Sequence, residues 1–393
     1  MVRVFGQEVA WSVPERSLGV ASLLEELASA TEKYESWRYS PIDNVAVSSF
    51  ATSAPSGFGT GATRALAALG LVDRDVVEVG PRGLVRVSAA EGVSVRTELA
   101  GGEVVELAEE PYAALASLLA PERIAIEVTG AGDPLVVVVG ADGEAAAGFA
   151  WVRLRLGAPR EVWLLDGAGT GTLLSALVDV EVNERVGAVL HHVPIGAPRA
   201  VRFLELQASV AAEGELLVAE AAAEQGYHRT RLDVRLIGER ASTRVRSAFV
   251  AGTGETQEFR TFVVHEAPRS RSDLLYKGAV LGSGTSIYSG LITIAPGGRG
   301  SDAFQTNRNL LLSAEARAES VPNLDIQVSD VRCSHASTVG PIDEELVFAL
   351  TAKGIDPKQA ERMLADGFFA DIADLTEAER HVVRRALEDR WQL

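Results

Sequence analysis

Cys333 and His335 stand two residues apart, and they are the pair in this chain best suited to metal chemistry. A thiolate and an imidazole both bind soft or borderline metals such as iron and zinc. The spacing matters because residues i and i+2 of an extended strand share one face. The pair is also short of ligands. Iron–sulfur clusters are normally held by several thiolates, and Cys333 is the single cysteine of 393 residues. A cluster bound here therefore needs ligands from another chain. His191 and His192 are adjacent, so in a strand they face opposite ways and do not chelate one ion together. They read as structural histidines, and His228, His265 and His381 have no companion ligands beside them in sequence.

Other chemistries lack their motifs. There is no Gly-x-x-x-x-Gly-Lys-Ser/Thr phosphate loop, no His-Glu-x-x-His zinc motif and no nucleophile elbow. Gly282-Ser283-Gly284 and Gly297-Gly298-Arg299-Gly300 lack the strand-to-helix context of a phosphate site and read as turns.

Three textures of sequence must position these residues. Leu18 to Trp37 has apolar residues at helical spacing, Thr63 to Leu69 fits a short helix stopped by Gly70, and Ser53 to Gly61 between them reads as a loop. Leu115, Leu118 and Leu119 suggest one more short helix. From about Ile124 to Arg332 the helical period vanishes and short strand-like runs take over. Examples are 124–128, 135–139, 151–156, 258–264 and 287–294. Arg231 to Leu236 alternates charged and apolar residues, a strand with one dry face. More than ten such runs exclude a doubly wound α/β sheet and leave a sandwich, a barrel or a β-solenoid. No strict repeat is visible. Asp325 to Arg332 reads as strand leading into Cys333.

The last fifty residues return to helix. Leu346 to Lys353 is closed by Gly354; Asp356-Pro357 caps a helix running to about Ala365 and stopping at Gly367. Thr376 and Glu379 form a capping box ahead of a final helix to about Arg390. Phe368 and Phe369 read either as core or as a docking surface.

Charge narrows the function. A net charge of −17 and a pI near 4.9 argue against a nucleic-acid surface and against attachment to an anionic membrane. No run is apolar and long enough to span a bilayer, the N-terminus has no signal-peptide stretch, and a lone cysteine precludes an internal disulfide. The expected location is the cytoplasm.

The succession Asp302-Ala303-Phe304-Gln305-Thr306-Asn307-Arg308-Asn309, then Ser320-Val321-Pro322-Asn323-Leu324, then Val331-Arg332-Cys333-Ser334-His335-Ala336, closely resembles the C-terminal signature of the SufB/SufD family of iron–sulfur cluster assembly proteins. Tyr276-Lys277-Gly278 and Ser289-Gly290 fit the approach to it. Trp37-Arg38-Tyr39 looks like the family's N-terminal element. The Asn-Arg-Asn and Cys-Ser-His elements have the form of the SufD branch, and SufB chains usually carry several cysteines. One departure is Gly298-Arg299-Gly300-Ser301, where relatives commonly show Ala-Gln-Lys-Thr.

The resemblance implies a mainly β fold, a right-handed parallel β-helix flanked by N- and C-terminal α-helical domains. The expected division is 1–121 (mostly helical), 122–341 (β-helix) and 342–393 (helical, binding an ATPase). It implies a non-catalytic scaffold of the SufBCD complex, with SufB and the ABC-type ATPase SufC as partners and a possible homodimer without SufB. Cys333 and His335 would meet a nascent iron–sulfur cluster shared with SufB, no cofactor being held by this chain alone. Gly354, Leu364, Gly367 and Phe368 would lie at the SufC interface. Two other readings are a SufB-like homodimeric scaffold and a carbohydrate-active β-helix enzyme using Asp233, Glu239 or Glu258.

Overall fold

A computed structural model describes residues 2–4, 7–9, 40, 49–50, 59–88, 91–98, 111–143 and 145–391. The expected helix from Leu18 to Trp37 and the Trp37-Arg38-Tyr39 element lie outside these. β1 (Val2–Val4) and β2 (Gln7–Val9) form an antiparallel pair. Helix α1 (Gly59–Ala68) begins earlier than its apolar spacing suggests, taking in glycines expected in the preceding loop; it ends before Gly70, whose φ is +71°. Strands β3 (Asp75–Gly80), β4 (Gly83–Val87) and β5 (Val93–Glu98) follow, then α2 (Pro111–Leu119).

From β6 (Arg123–Val128) onward the chain winds as a parallel β-solenoid of about eight turns. One sheet joins β5, β6, β8 (Ala147–Leu156), β10 (Leu173–Val182), β13 (Val201–Val210), β15 (Tyr227–Leu236), β17 (Thr256–His265), β19 (Thr285–Ile294) and β21 (Arg317–Ile326). The other joins β4, β3, β7 (Leu135–Ala141), β9 (Arg160–Ala168), β11 (Gly187–His192), β14 (Glu215–Ala222), β16 (Ser242–Ala251), β18 (Arg271–Val280), β20 (Asp302–Leu311) and β22 (Arg332–Pro341). The two-residue β12 (Ile195–Gly196) pairs with β9.

The core follows from alternation. Every second residue points inward, and unbroken register stacks these residues in columns. Leu156, Val182, Val210, Leu236, His265 and Ile294 form one such column and are all buried. Each buried aliphatic residue contributes about 1.5–3 kcal/mol. His265 sits in the column because Ser270 and Ser272 bond its two nitrogens at 2.8 Å each. Burial lowers its pKa to about 4, so it stays neutral.

A loose repeat does exist, but in backbone geometry rather than residue type. Arg185, Glu213, Arg240, Arg269, Gly300 and Asp330 occupy one corner of successive coils, all with φ between 56° and 77°. Neighbours of opposite charge pair along part of the ridge, as in Arg185–Glu213 (3.3 Å) and Glu213–Arg240 (3.2 Å). Mixed residue types at one conformation explain why the eye finds no motif. Gly300 shows that the Gly298-Arg299-Gly300-Ser301 departure is the same corner turn. Gly298 is required there, since a Cβ would meet the His265 carbonyl oxygen at 2.7 Å.

Three helices close the chain: α3 (Glu344–Thr351), α4 (Pro357–Ala370) and α5 (Glu377–Trp391). α4 passes through Gly367 rather than stopping there. Gly367 has ordinary helical backbone, and burial of Phe369 beyond it rewards continuing. α4 and α5 cover the outer face of the second sheet, where Ala219, Ala221, Ala248 and Ala279 let Ala365, Phe369, Ile372, Val383 and Leu387 approach closely. Among the described residues no helix is long and apolar enough to cross a membrane.

Candidate functional site

The solenoid ends in an open mouth. Among the described residues β22 pairs only with β20 and β21 only with β19, so each presents one unpaired backbone edge. Such edges are templates for another chain. Asp325 and Ile326 end β21, residues 327–331 turn the last corner, and Cys333 to His335 lie in β22. The expected continuous strand from Asp325 to Arg332 is thus two strands around a corner, because the coil must change sheet there.

Cys333 and His335 do share a face. Their register partners are Ala303 and Gln305, both buried inside the coil below, so both side chains point inward at the mouth. Cys333 is half-buried and packs against the core with Leu324, Val328 and Val331 nearby; His335 is exposed. Burial, and then the Asp302 carboxylate, push the Cys333 thiol above its ordinary pKa. Ser337 donates to Ser320 across the mouth at 2.8 Å. Beneath His335 the floor is tied by hydrogen bonds. Gln305 Nε2 donates to the Asn323 carbonyl at 2.9 Å, and the Tyr288 hydroxyl donates to Gln305 Oε1 at 3.0 Å. Gly290 makes room, since a Cβ there would meet Gln305 Oε1 at 2.2 Å.

A second polar cluster, not foreseen from sequence, lies deeper in the solenoid. His192 bonds Asp166 at 2.7 Å and Glu220 at 2.9 Å; Arg202 forms ion pairs with Asp166 at 3.0 Å and Glu224 at 3.1 Å; His228 meets Glu224 at 2.5 Å. All are buried. Their sequence separations hide the grouping, and alternation within each strand was the one available signal. His191 faces outward instead and meets Glu379 of α5 at 3.0 Å. The pair therefore splits as its adjacency requires. Among the described residues no group of His, Cys, Asp and Glu has the geometry of a metal centre.

The three carboxylates of the carbohydrate reading are dispersed. Asp233 pairs with Arg231 at 2.8 Å, Glu239 with Arg269 on the corner ridge, and Glu258 with Arg229 and Arg260. Ser40, the described end of the Trp-Arg-Tyr stretch, donates to Glu258 at 2.5 Å.

On the C-terminal helices, Gly354 and Gly367 are exposed while Leu364 and Phe368 are half-buried. The Phe368 ring lies 4.7 Å from Lys277 Nζ, on the solenoid side. The more open apolar residues are others: Phe348 is 72% exposed, and Leu346 and Met363 are also exposed. Phe348 borders a groove of about 660 Å³ shared with Leu311, Pro341, Val347, Pro357 and Trp391.

Comparison with known proteins bears on this arrangement. Residues 148–368, more than half of the chain, match the family model described as SUF system FeS cluster assembly, SufBD core domain. An iron–sulfur cluster assembly SufBD family protein of Mycobacterium leprae is 32% identical over 219 residues, 54% of this chain and 48% of that protein. The iron–sulfur cluster assembly protein SufD of Escherichia coli is 35% identical over 152 residues, 39% of this chain and 35% of its own length. SufD of Bacillus subtilis is 35% identical over 126 residues, 32% of this chain and 29% of its own. The aligned stretch thus spans about half the length of the mycobacterial relative and about a third of the two SufD proteins. With an uninterrupted two-sheet solenoid and a family match across most of its coils, this chain belongs to the SufB/SufD family of the SUF iron–sulfur cluster assembly system.

Proposed function

We propose that this chain is a SufD-type scaffold subunit, itself non-catalytic, that shares a cluster-building site with a SufB partner at its open mouth. The observation that carries the reading is the placement of Cys333 and His335 on the inward face of the last, half-paired strand. They stand in the last coil at the open end, where a second solenoid end would meet them. Two ligands are too few for a cluster, so the partner supplies the rest. His335, exposed, is the principal ligand; Cys333, half-buried with a raised pKa, is the second. The cluster is cargo, built there and passed on.

The C-terminal helices dock the ATPase SufC in this reading. The interface includes Gly354, Leu364, Gly367 and Phe368, with Phe348 and the adjoining groove as its apolar centre. Nucleotide-driven motion of the ATPase loosens the paired mouths and admits iron and sulfide. Complex formation in the cytoplasm, through SufB and SufC, is the expected state; a homodimer is the expected substitute without SufB.

The test is co-expression with candidate SufB and SufC chains, followed by anaerobic cluster reconstitution of the purified complex. His335→Ala should reduce cluster absorbance while leaving complex composition intact. Undiminished absorbance removes the ligand role, and failure to retain an ABC ATPase removes the SufD assignment.

A further inference from the structure

The mouth strand runs almost directly into the C-terminal helices. Among the described residues β22 is held along one edge only, by β20. Ile342 and Asp343 alone separate it from α3, and Asp343 is that helix's N-cap. α3 buries none of its residues, so its position follows α4, on which it packs. α4 in turn rests on the solenoid through Ala365 and Phe369.

At its C-terminal end α4 is fastened by a buried cation. Lys277 lies on the outer face of β18 with its side chain only 3% exposed. Its Nζ donates to the Phe368 carbonyl at 2.7 Å, pairs with the Asp371 carboxylate and sits over the Phe368 ring. The last four carbonyls of a helix have no partner within it. A cation there also meets the negative end of the helix dipole. Lys277 thus supplies from the solenoid what α4 lacks, and its column neighbour Ala248 leaves the space to do so.

We propose that Lys277 is a positioning residue that sets the α3–α4 lever against the solenoid and thereby holds β22 in place at the mouth. Its consequence for cluster assembly rests on the reading above, in which α3 and α4 dock the ATPase. A pull on those helices then works against the Lys277 contact and peels β22 from its C-terminal end. Peeling that reaches Ser337 releases its hydrogen bond to Ser320.

Hydrogen exchange of the full-length chain alone, read by mass spectrometry, tests this without any ATPase. Lys277→Met should speed exchange in 357–371 and also in 332–341, roughly ten-fold for loss of one charged hydrogen bond. Lys277→Arg should restore much of the protection in both. Arg390→Met is the control. Arg390 anchors α5 through Glu255 at 2.8 Å and the Ala223 carbonyl at 2.9 Å, but α5 is not the lever. It should leave 332–341 unchanged. Asp371→Asn, at an exposed partner, replaces Lys277→Met if that variant does not fold. The proposal is overturned if 357–371 loosens while 332–341 keeps its protection, or if Arg390→Met loosens 332–341 as much. A wrong ATPase assignment would show in co-purification and leave these exchange rates as expected.

Discussion

His192 and Asp166 face each other 2.7 Å apart inside the solenoid, while the other ring nitrogen of His192 meets Glu220 at 2.9 Å. Two carboxylates on one imidazole make both nitrogens donors, so the ring is an imidazolium. Burial pushes its pKa down, but the Asp166 charge and the hydrogen bonds to both carboxylates raise it to about 9. A folded pKa above the ordinary value of 6.5 contributes stability that is complete below that value and is lost as pH rises through about 9. Denaturant unfolding at rising pH should show the wild-type chain losing stability across that window, with His192→Gln much flatter. Replacing His192 by alanine should cost about 3–5 kcal/mol, as for breaking a buried ion pair. Equal pH slopes in both proteins would rule out the imidazolium.

Cys333 should alkylate more slowly than a free thiol near neutral pH. Burial and the Asp302 charge both favour its protonated form. Asp302→Asn removes the smaller cause and should speed iodoacetamide modification about two- to three-fold. Because the chain has one cysteine, the total thiol rate reports this site directly. No change on substitution would mean the carboxylate does not reach the thiol.

Phe348 is largely exposed, so Phe348→Asp should barely alter stability, within about 0.5 kcal/mol. If α3 docks the ATPase, the same substitution should weaken binding by at least about 2 kcal/mol, the loss expected of a central aromatic anchor. Titration calorimetry and thermal unfolding separate the two effects. Retained affinity would move the interface elsewhere.

Gln305 should prove structural as well as positional. Gln305→Leu strands the Asn323 carbonyl and the Tyr288 hydroxyl, costing about 1–3 kcal/mol. Adding Tyr288→Phe should recover part of that loss, since one orphaned group disappears with it. A double-mutant cycle of equilibrium unfolding measures the coupling, and strict additivity would contradict the contact.

Much of this was legible in sequence because it is local. The alternation in Arg231–Leu236 marked β15, Asp356-Pro357 opened α4, and Thr376 with Glu379 capped α5, each through interactions within a few residues. The two-residue spacing of Cys333 and His335 likewise set their common face, since that depends only on strand geometry. Where local signals misled, longer-range packing overrode them: Gly367 remains helical because Phe369 is buried beyond it, and Asp325–Arg332 bends because the coil changes sheet.

What only the tertiary structure decided is which distant residues meet. Asp166, His192, Arg202, Glu220 and His228 come from five strands, β9, β11, β13, β14 and β15, and Glu224 from the loop after β14; stacking of coils alone brings them together. Lys277 reaches Phe368 across more than ninety residues. Strand geometry dictates the face on which a side chain points; the register between coils dictates what it finds there. The sequence alone therefore determined that Cys333, the single cysteine, and His335 share one strand face. The fold decided that the pair stands at an open mouth, on the strand joined to the exposed helices.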